Sequence, residues 1–111
     1  MLATRIINVE LLILAALETS EWLYGLSISE RILETTGQAL SPGSLYVTLH
    51  RMEEKGLVSS RWGEATEVGT GARRRYYQLT ELGLQTLIES KQVLIKALNL
   101  TPGLVSVESE E

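Results

Sequence analysis

Residues 41–64 read SPGSLYVTLHRMEEKGLVSSRWGE, and residues 72–83 read ARRRYYQLTELG. Ser41-Pro42 is a helix start: a serine hydroxyl accepts from a free amide of the first turn, and the fixed φ of proline suits the first helical position. The stretch predicts a helix from Pro42 to about Lys55, stopped by Gly56. At about 100° per residue, Leu45, Leu49 and Met52 share the face that packs on a core. Gly43, Ser44, Val47, His50, Arg51 and Glu54 take the opposite face. Leu57–Trp62 and Arg73–Leu79 then read as two short strands. The ten residues between them include Gly63, Gly69 and Gly71, which predicts a β-hairpin with a long tip. Alternation along the second strand separates Arg73, Arg75 and Tyr77 from Arg74 and Tyr76, with one of the two tyrosines in the core.

Upstream, Ile6 to Glu18 is apolar nearly all round, as expected of a helix buried on more than one face. The segment Glu18–Gly25 breaks it, with Trp22 and Tyr24 packing under the turn. Ser27 and Glu30 have the spacing of a capping box, opening a second helix through Ile28, Ile32 and Leu33 that Gly37 ends. Two helices joined by a short glycine-containing turn, followed by a hairpin, suggest a helix-turn-helix. Downstream, Thr80 caps a last helix with Glu81 in its first turn. Leu84, Leu87, Leu94 and Leu98 form a stripe widened by Ile88 and Ile95 and interrupted by Lys91. Pro102-Gly103 ends that helix, and the acidic VESEE tail is expected to be disordered.

Composition narrows the chemistry. The 111 residues suit one domain with a modest core. They include no Cys, fourteen acidic residues that are all Glu, and one His. Disulfides, thiolate zinc sites, Ser-His-Asp triads and Asp dyads are thereby excluded, so neither an enzyme nor a metal or other cofactor is expected. The longest apolar run, Leu11–Leu17, is too short to span a bilayer. Asn8 and Glu10 interrupt the segment a secretory signal would need, which leaves a cytoplasmic protein as the expectation.

The net charge of −4 argues at first against nucleic acid. Its distribution reverses that reading. Residues 1–50 balance at −3, whereas residues 51–75 carry Arg51, Lys55, Arg61, Arg73, Arg74 and Arg75 and balance at +2. A local basic stretch, more than the total, sets affinity for phosphates. On the third helix, small residues at the start let the backbone approach a ligand, and the helix N-terminus attracts phosphate. Ser44 and Arg51 offer donors to base edges or phosphates, and Val47 offers a contact to a thymine methyl. The three consecutive arginines suit phosphates or a narrow minor groove. A solvated helix face is the structural alternative for the same residues. His50, without Asp or Cys beside it, reads as an exposed polar residue rather than a metal ligand.

The helix start GSLY, the exit MEEKGLV and the strand RRRYYQLT together resemble the PadR family of bacterial transcriptional regulators, over about Val9 to Leu98. The resemblance implies an α+β, mainly α fold: a winged helix-turn-helix with a two-stranded β-wing over residues 1–79, a C-terminal dimerisation helix over 80–100 and the acidic tail 101–111. It implies a homodimer that binds double-stranded operator DNA, usually as a repressor. Pro42–Lys55 would be the recognition helix and the Arg73–Arg75 hairpin the wing. Ser44 and Tyr46 stand where the family meets DNA. The expected DNA-facing set is Ser41, Gly43, Ser44, Tyr46, Val47, His50 and Arg51, with Arg61, Arg73, Arg74 and Arg75 on backbone or minor groove. The expected dimer set is Leu84, Leu87, Ile88, Lys91, Leu94, Ile95 and Leu98. Many relatives carry Pro where this chain has Val47, and a single C-terminal helix marks the short subtype. Some short members bind drug-like aromatics between subunits, so a small-molecule effector is a further partner, although neither Trp22 nor Trp62 lies in the last helix. A winged helix used for protein contact, or a small-molecule sensor with secondary DNA binding, are the competing readings.

Overall fold

The computed structural model describes residues 8–63 and 74–100. The elements are α1 (Val9–Ala16), β1 (Leu23–Tyr24), α2 (Gly25–Thr36), α3 (Pro42–Glu54), β2 (Val58–Trp62), β3 (Arg75–Leu79) and α4 (Glu81–Leu98). The expected start of the first helix at Ile6, most of the hairpin tip and the tail 101–111 lie outside the described residues.

One core joins all the helices to the sheet. It contains Ile13, Leu14, Ala16 and Leu17 of α1 and its end, Ile28 and Ile32 of α2, Leu45, Leu49 and Met52 of α3, Leu57, Val58, Tyr77 and Leu87. The face foreseen for α3 is therefore the face that is buried, and Thr48 goes with it. Ser41 Oγ accepts from the Ser44 amide at 3.1 Å, and Pro42 occupies the first helical position. At the far end Gly56 adopts φ 81°, a left-handed turn that costs glycine little. The Leu57 amide then bonds the Met52 carbonyl at 2.9 Å. This reversal sends the chain straight from α3 into β2.

The sheet has three strands in the order β1-β3-β2, one more than the hairpin predicts. Strand β3 is central. It pairs antiparallel with β2, Ser60 opposite Tyr77 and Trp62 opposite Arg75, and with β1, Leu23 opposite Tyr77 and Tyr24 opposite Tyr76. Two-residue β1 is too short to show an alternation of its own; it is a strand by virtue of its pairing with β3. That pairing also moves the start of α2. Tyr24 is held extended, so the helix opens directly at Gly25 without a side-chain cap. Ser27 lies inside the first turn, and the expected Ser27–Glu30 capping box is not what opens it.

Helix α4 is fastened at its start by Thr80. The hydroxyl accepts from the Gly83 amide at 3.0 Å and donates to the Gly56 carbonyl at 2.6 Å. Gly83 sits so close to the Leu57 carbonyl that any Cβ there would collide with it. The apolar stripe splits into two roles. Leu87 is 1% exposed and belongs to the chain's own core, which corrects its expected place on a subunit interface. Leu84, Ile88, Leu94 and Leu98 remain exposed, together with Leu82 and Val93. Lys91 pairs with Glu18 at 2.9 Å, and Lys55 pairs with Glu10 at 2.7 Å. Each bridge ties an element back to the α1 region of the same chain.

Candidate nucleic-acid interface

Because α3 buries Leu45, Thr48, Leu49 and Met52, its other side is turned outward along the whole helix. Ser41, Pro42, Gly43 and Ser44 are exposed at the N-terminus, followed by Val47, His50 and Arg51. Val47 is 55% exposed, an apolar side chain offered to solvent amid polar neighbours. His50 Nε2 lies 3.3 Å from Glu54 one turn on, both side chains well exposed. A pair of this kind is a weak tether that leaves the imidazole accessible. Tyr46 is only partly available: its ring lies against Gly25 at the start of α2. Burial, then proximity to Tyr24, raises the pKa of its phenol.

The sheet supplies the second part. The register places Tyr24, Tyr76 and Arg61 on one face and Leu23, Tyr77, Ser60, Trp62 and Arg75 on the other. On the first face the Arg61 guanidinium lies 4.9 Å from the centre of the Trp22 ring. The Arg74 guanidinium lies 4.6 Å from the centre of Tyr24, whose ring is 6.1 Å from that of Tyr76. Stacking holds a guanidinium in place by its face while its N–H edge can still donate. Arg61 and Arg74 are thus oriented cations on an exposed part of the sheet.

Arg75 is placed differently. Its Nη2 donates to Ser60 Oγ at 2.7 Å and lies 3.7 Å from Glu53 Oε1. Its guanidinium rests 4.8 Å from the centre of Trp62. Arg74 and Arg75, expected to act alike, are therefore not equivalent: Arg74 is exposed over a ring, whereas Arg75, partly buried, is engaged by Ser60, Glu53 and Trp62. Arg73 lies outside the described residues. Trp22 and Tyr24, read from sequence only as packing under a turn, are the rings that aim Arg61 and Arg74. Their signal was hidden because they act through β1, whose partner strand begins more than fifty residues later.

Among the described residues no group of three or more His, Cys, Asp or Glu could hold a metal ion, and no helix is long and apolar enough to cross a membrane.

A helix-turn-helix formed by α2 and α3, flanked by a three-stranded antiparallel sheet whose β2–β3 hairpin is the wing, defines a winged-helix protein. Residues 13–89 match the transcriptional regulator PadR-like family, and the chain belongs to that family, whose members are transcriptional regulators and not enzymes. A PadR family transcription regulator from Clostridium difficile is similar over 82% of this chain and 91% of its own, with 31% identity and a TM-score of 0.71. A PadR-like transcriptional regulator from Bacillus cereus is similar over 90% of this chain and 93% of its own, with 29% identity and a TM-score of 0.67. In sequence, the transcriptional regulator Rv3488 of Mycobacterium tuberculosis is 40% identical over 62 residues, 56% of this chain and 54% of that protein. The match therefore spans about half the length of that curated relative. Bacillus subtilis PadR, whose structure is of a complex with operator DNA, shares the fold at 20% identity and a TM-score of 0.64.

Proposed function

We propose that the protein binds double-stranded DNA as a homodimer and represses transcription from a pseudo-palindromic site. One observation carries the reading: the exposed side of α3, from Ser41 to Arg51, has oriented Arg61 and Arg74 on the neighbouring sheet. Such a helix suits a major groove, and such cations suit the flanking phosphates. Ser41, Gly43, Ser44, Val47, His50 and Arg51 form the base-facing surface, with Tyr46 at its inner edge. Arg61, Arg74 and, beyond the described residues, Arg73 are the backbone contacts. The complex of Bacillus subtilis PadR with operator DNA supports this use of the shared fold.

The exposed row Leu84, Ile88, Leu94 and Leu98 on α4, with Ile95 half-buried beside it, supports pairing through this helix. A row of large apolar side chains is costly to leave in water and gains by meeting its own copy. Two α3 helices held by such a dimer would enter successive major grooves.

The test is fluorescence anisotropy of a labelled duplex from upstream of the protein's own coding sequence, against a scrambled duplex, over a salt series. A preference for the upstream fragment with log affinity falling steeply as salt rises is the expected result. No binding to either duplex at low salt would overturn it and favour protein contact as the role of the winged helix.

A further inference from the structure

Among the described residues, a bonded cluster of charged and polar side chains lies between the end of α3 and the wing strands. Glu53 stands in the last turn of α3, where an acid is disfavoured by the helix dipole and by any phosphate near the helix. It is nevertheless well provided for. Glu53 Oε2 accepts from Ser60 Oγ of β2 at 2.7 Å. The same Ser60 oxygen accepts from Arg75 Nη2 of β3 at 2.7 Å, and the Arg75 guanidinium lies 3.7 Å from Glu53 Oε1. The flat side of Arg75 covers Trp62, its cross-strand partner. Tyr77, buried on the same face of the sheet, is near enough to Arg75, Tyr46 and Glu53 for their charges to act on its phenol. Glu53 of α3 and Ser60 and Trp62 of β2 are thus joined through one guanidinium of β3.

We propose that Arg75 is a positioning residue: with Glu53 and Ser60 it forms a brace that sets the angle of the wing relative to α3, so that the helix and the outward arginines meet one duplex together. This rests on the DNA-binding reading above. The geometry separates Arg75 from Arg74 and Arg61. Those two are held over rings, whereas Arg75 lies over Trp62 and also donates to Ser60 and faces Glu53. The Nη2 edge of Arg75 is held by Ser60 and faces Glu53, so turning that edge to a phosphate would cost the Ser60 hydrogen bond and the pairing with Glu53. The brace also neutralises the acid that would otherwise repel DNA from the C-terminal half of α3. Ser60 has a distinct part, since its hydroxyl donates to the carboxylate and accepts from the guanidinium at once.

The test compares Glu53→Gln, Arg75→Gln and the double variant of the full chain, with Arg74→Ala as control. Binding to the upstream duplex and to a mixed-sequence duplex is followed over a salt series. Each brace variant should bind the upstream duplex about tenfold more weakly with its salt slope unchanged. The double variant should be no weaker than the worse single one, because each breaks the same unit. Arg74→Ala should instead flatten the slope by about 0.9, the loss of one phosphate contact. A slope flattened by Arg75→Gln would overturn the proposal by making Arg75 a phosphate contact, and additive losses would overturn it by uncoupling the pair. A readout without DNA is the nitrogen relaxation of the Trp62 indole. It should report a more mobile ring in both single variants, and an unchanged ring would count against the brace. If the unaltered protein binds neither duplex, the DNA-binding reading fails, and the brace stands or falls on Trp62 alone.

Discussion

Tyr77 illustrates how a single side chain acquires a property from its surroundings. Burial raises the pKa of its phenol above the ordinary 10.0, and Glu53 and Tyr46 add to the rise, while the charge and hydrogen bond of Arg75 hold it back. A raised phenol value means that the folded state disfavours the phenolate. Stability linked to this group is therefore fully present below pH 10.0 and lost as pH climbs through its raised value in the folded protein. Urea midpoints measured from neutral to strongly alkaline pH should fall in the alkaline range, and less steeply for Tyr77→Phe. An identical alkaline fall in the variant would assign the loss to other groups. The sequence allows either Tyr76 or Tyr77 to be the core tyrosine, since both are the same residue on adjacent positions of one strand. Pairing with Leu23 and Ser60 turns Tyr77 inward and decides it.

Among the elements, α3 and the start of α4 follow their local signals closely, because these ends are written in short-range chemistry. The end of α4 does not, since it falls at Leu98, where Asn99 turns left-handed at φ 58°, ahead of the expected Pro102-Gly103. Ser41-Pro42 opens α3, Gly56 closes it and Thr80 opens α4, each within the range foreseen. Thr80 does more than cap. Its donation to the Gly56 carbonyl joins the exit of α3 to the entry of α4, so that one hydroxyl serves two elements. Thr80→Ala should cost about 1–2 kcal/mol of stability in urea unfolding, and Thr80→Ser should recover most of it. A loss confined to a few tenths would mean that solvent replaces both bonds. Also beyond local reading are β1 and the start of α2. Two residues cannot display a period, and Tyr24 becomes extended only because β3 lies beside it.

Across the whole molecule, the apolar stripe of α4 divides between the core and an exposed row, the row proposed above to pair two subunits. Leu87 completes the core that α1, α2 and α3 build, whereas Ile88, the next residue, points outward with Leu84, Leu94 and Leu98. The two neighbours should respond differently to the same substitution. Ile88→Glu should leave the far-ultraviolet circular dichroism intact and shift sedimentation at micromolar concentration from dimer to monomer. Leu87→Glu buries an unpaired carboxylate, costs several kcal/mol and should unfold a domain of this size. A dimeric Ile88→Glu protein would move the interface off this row.

Both ends of α3, the start of α4, the buried face of α3, the hairpin and the family resemblance are legible in the 111 residues, because capping, periodicity and turn chemistry act over a few positions of chain. Cysteine and Asp counts are equally local facts, and they exclude disulfides, thiolate zinc sites, Ser-His-Asp triads and Asp dyads without a structure. The division among the arginines is not legible. Arg74 and Arg75 are neighbours of identical chemistry, and strand alternation alone separates their sides without saying what waits on either. Trp22 and Tyr24 on one face, and Glu53, Ser60 and Trp62 on the other, arrive from segments far along the chain. Whether a side chain is core, brace or outward-facing cation depends on such distant partners, and only the folded sheet brings them within bonding distance.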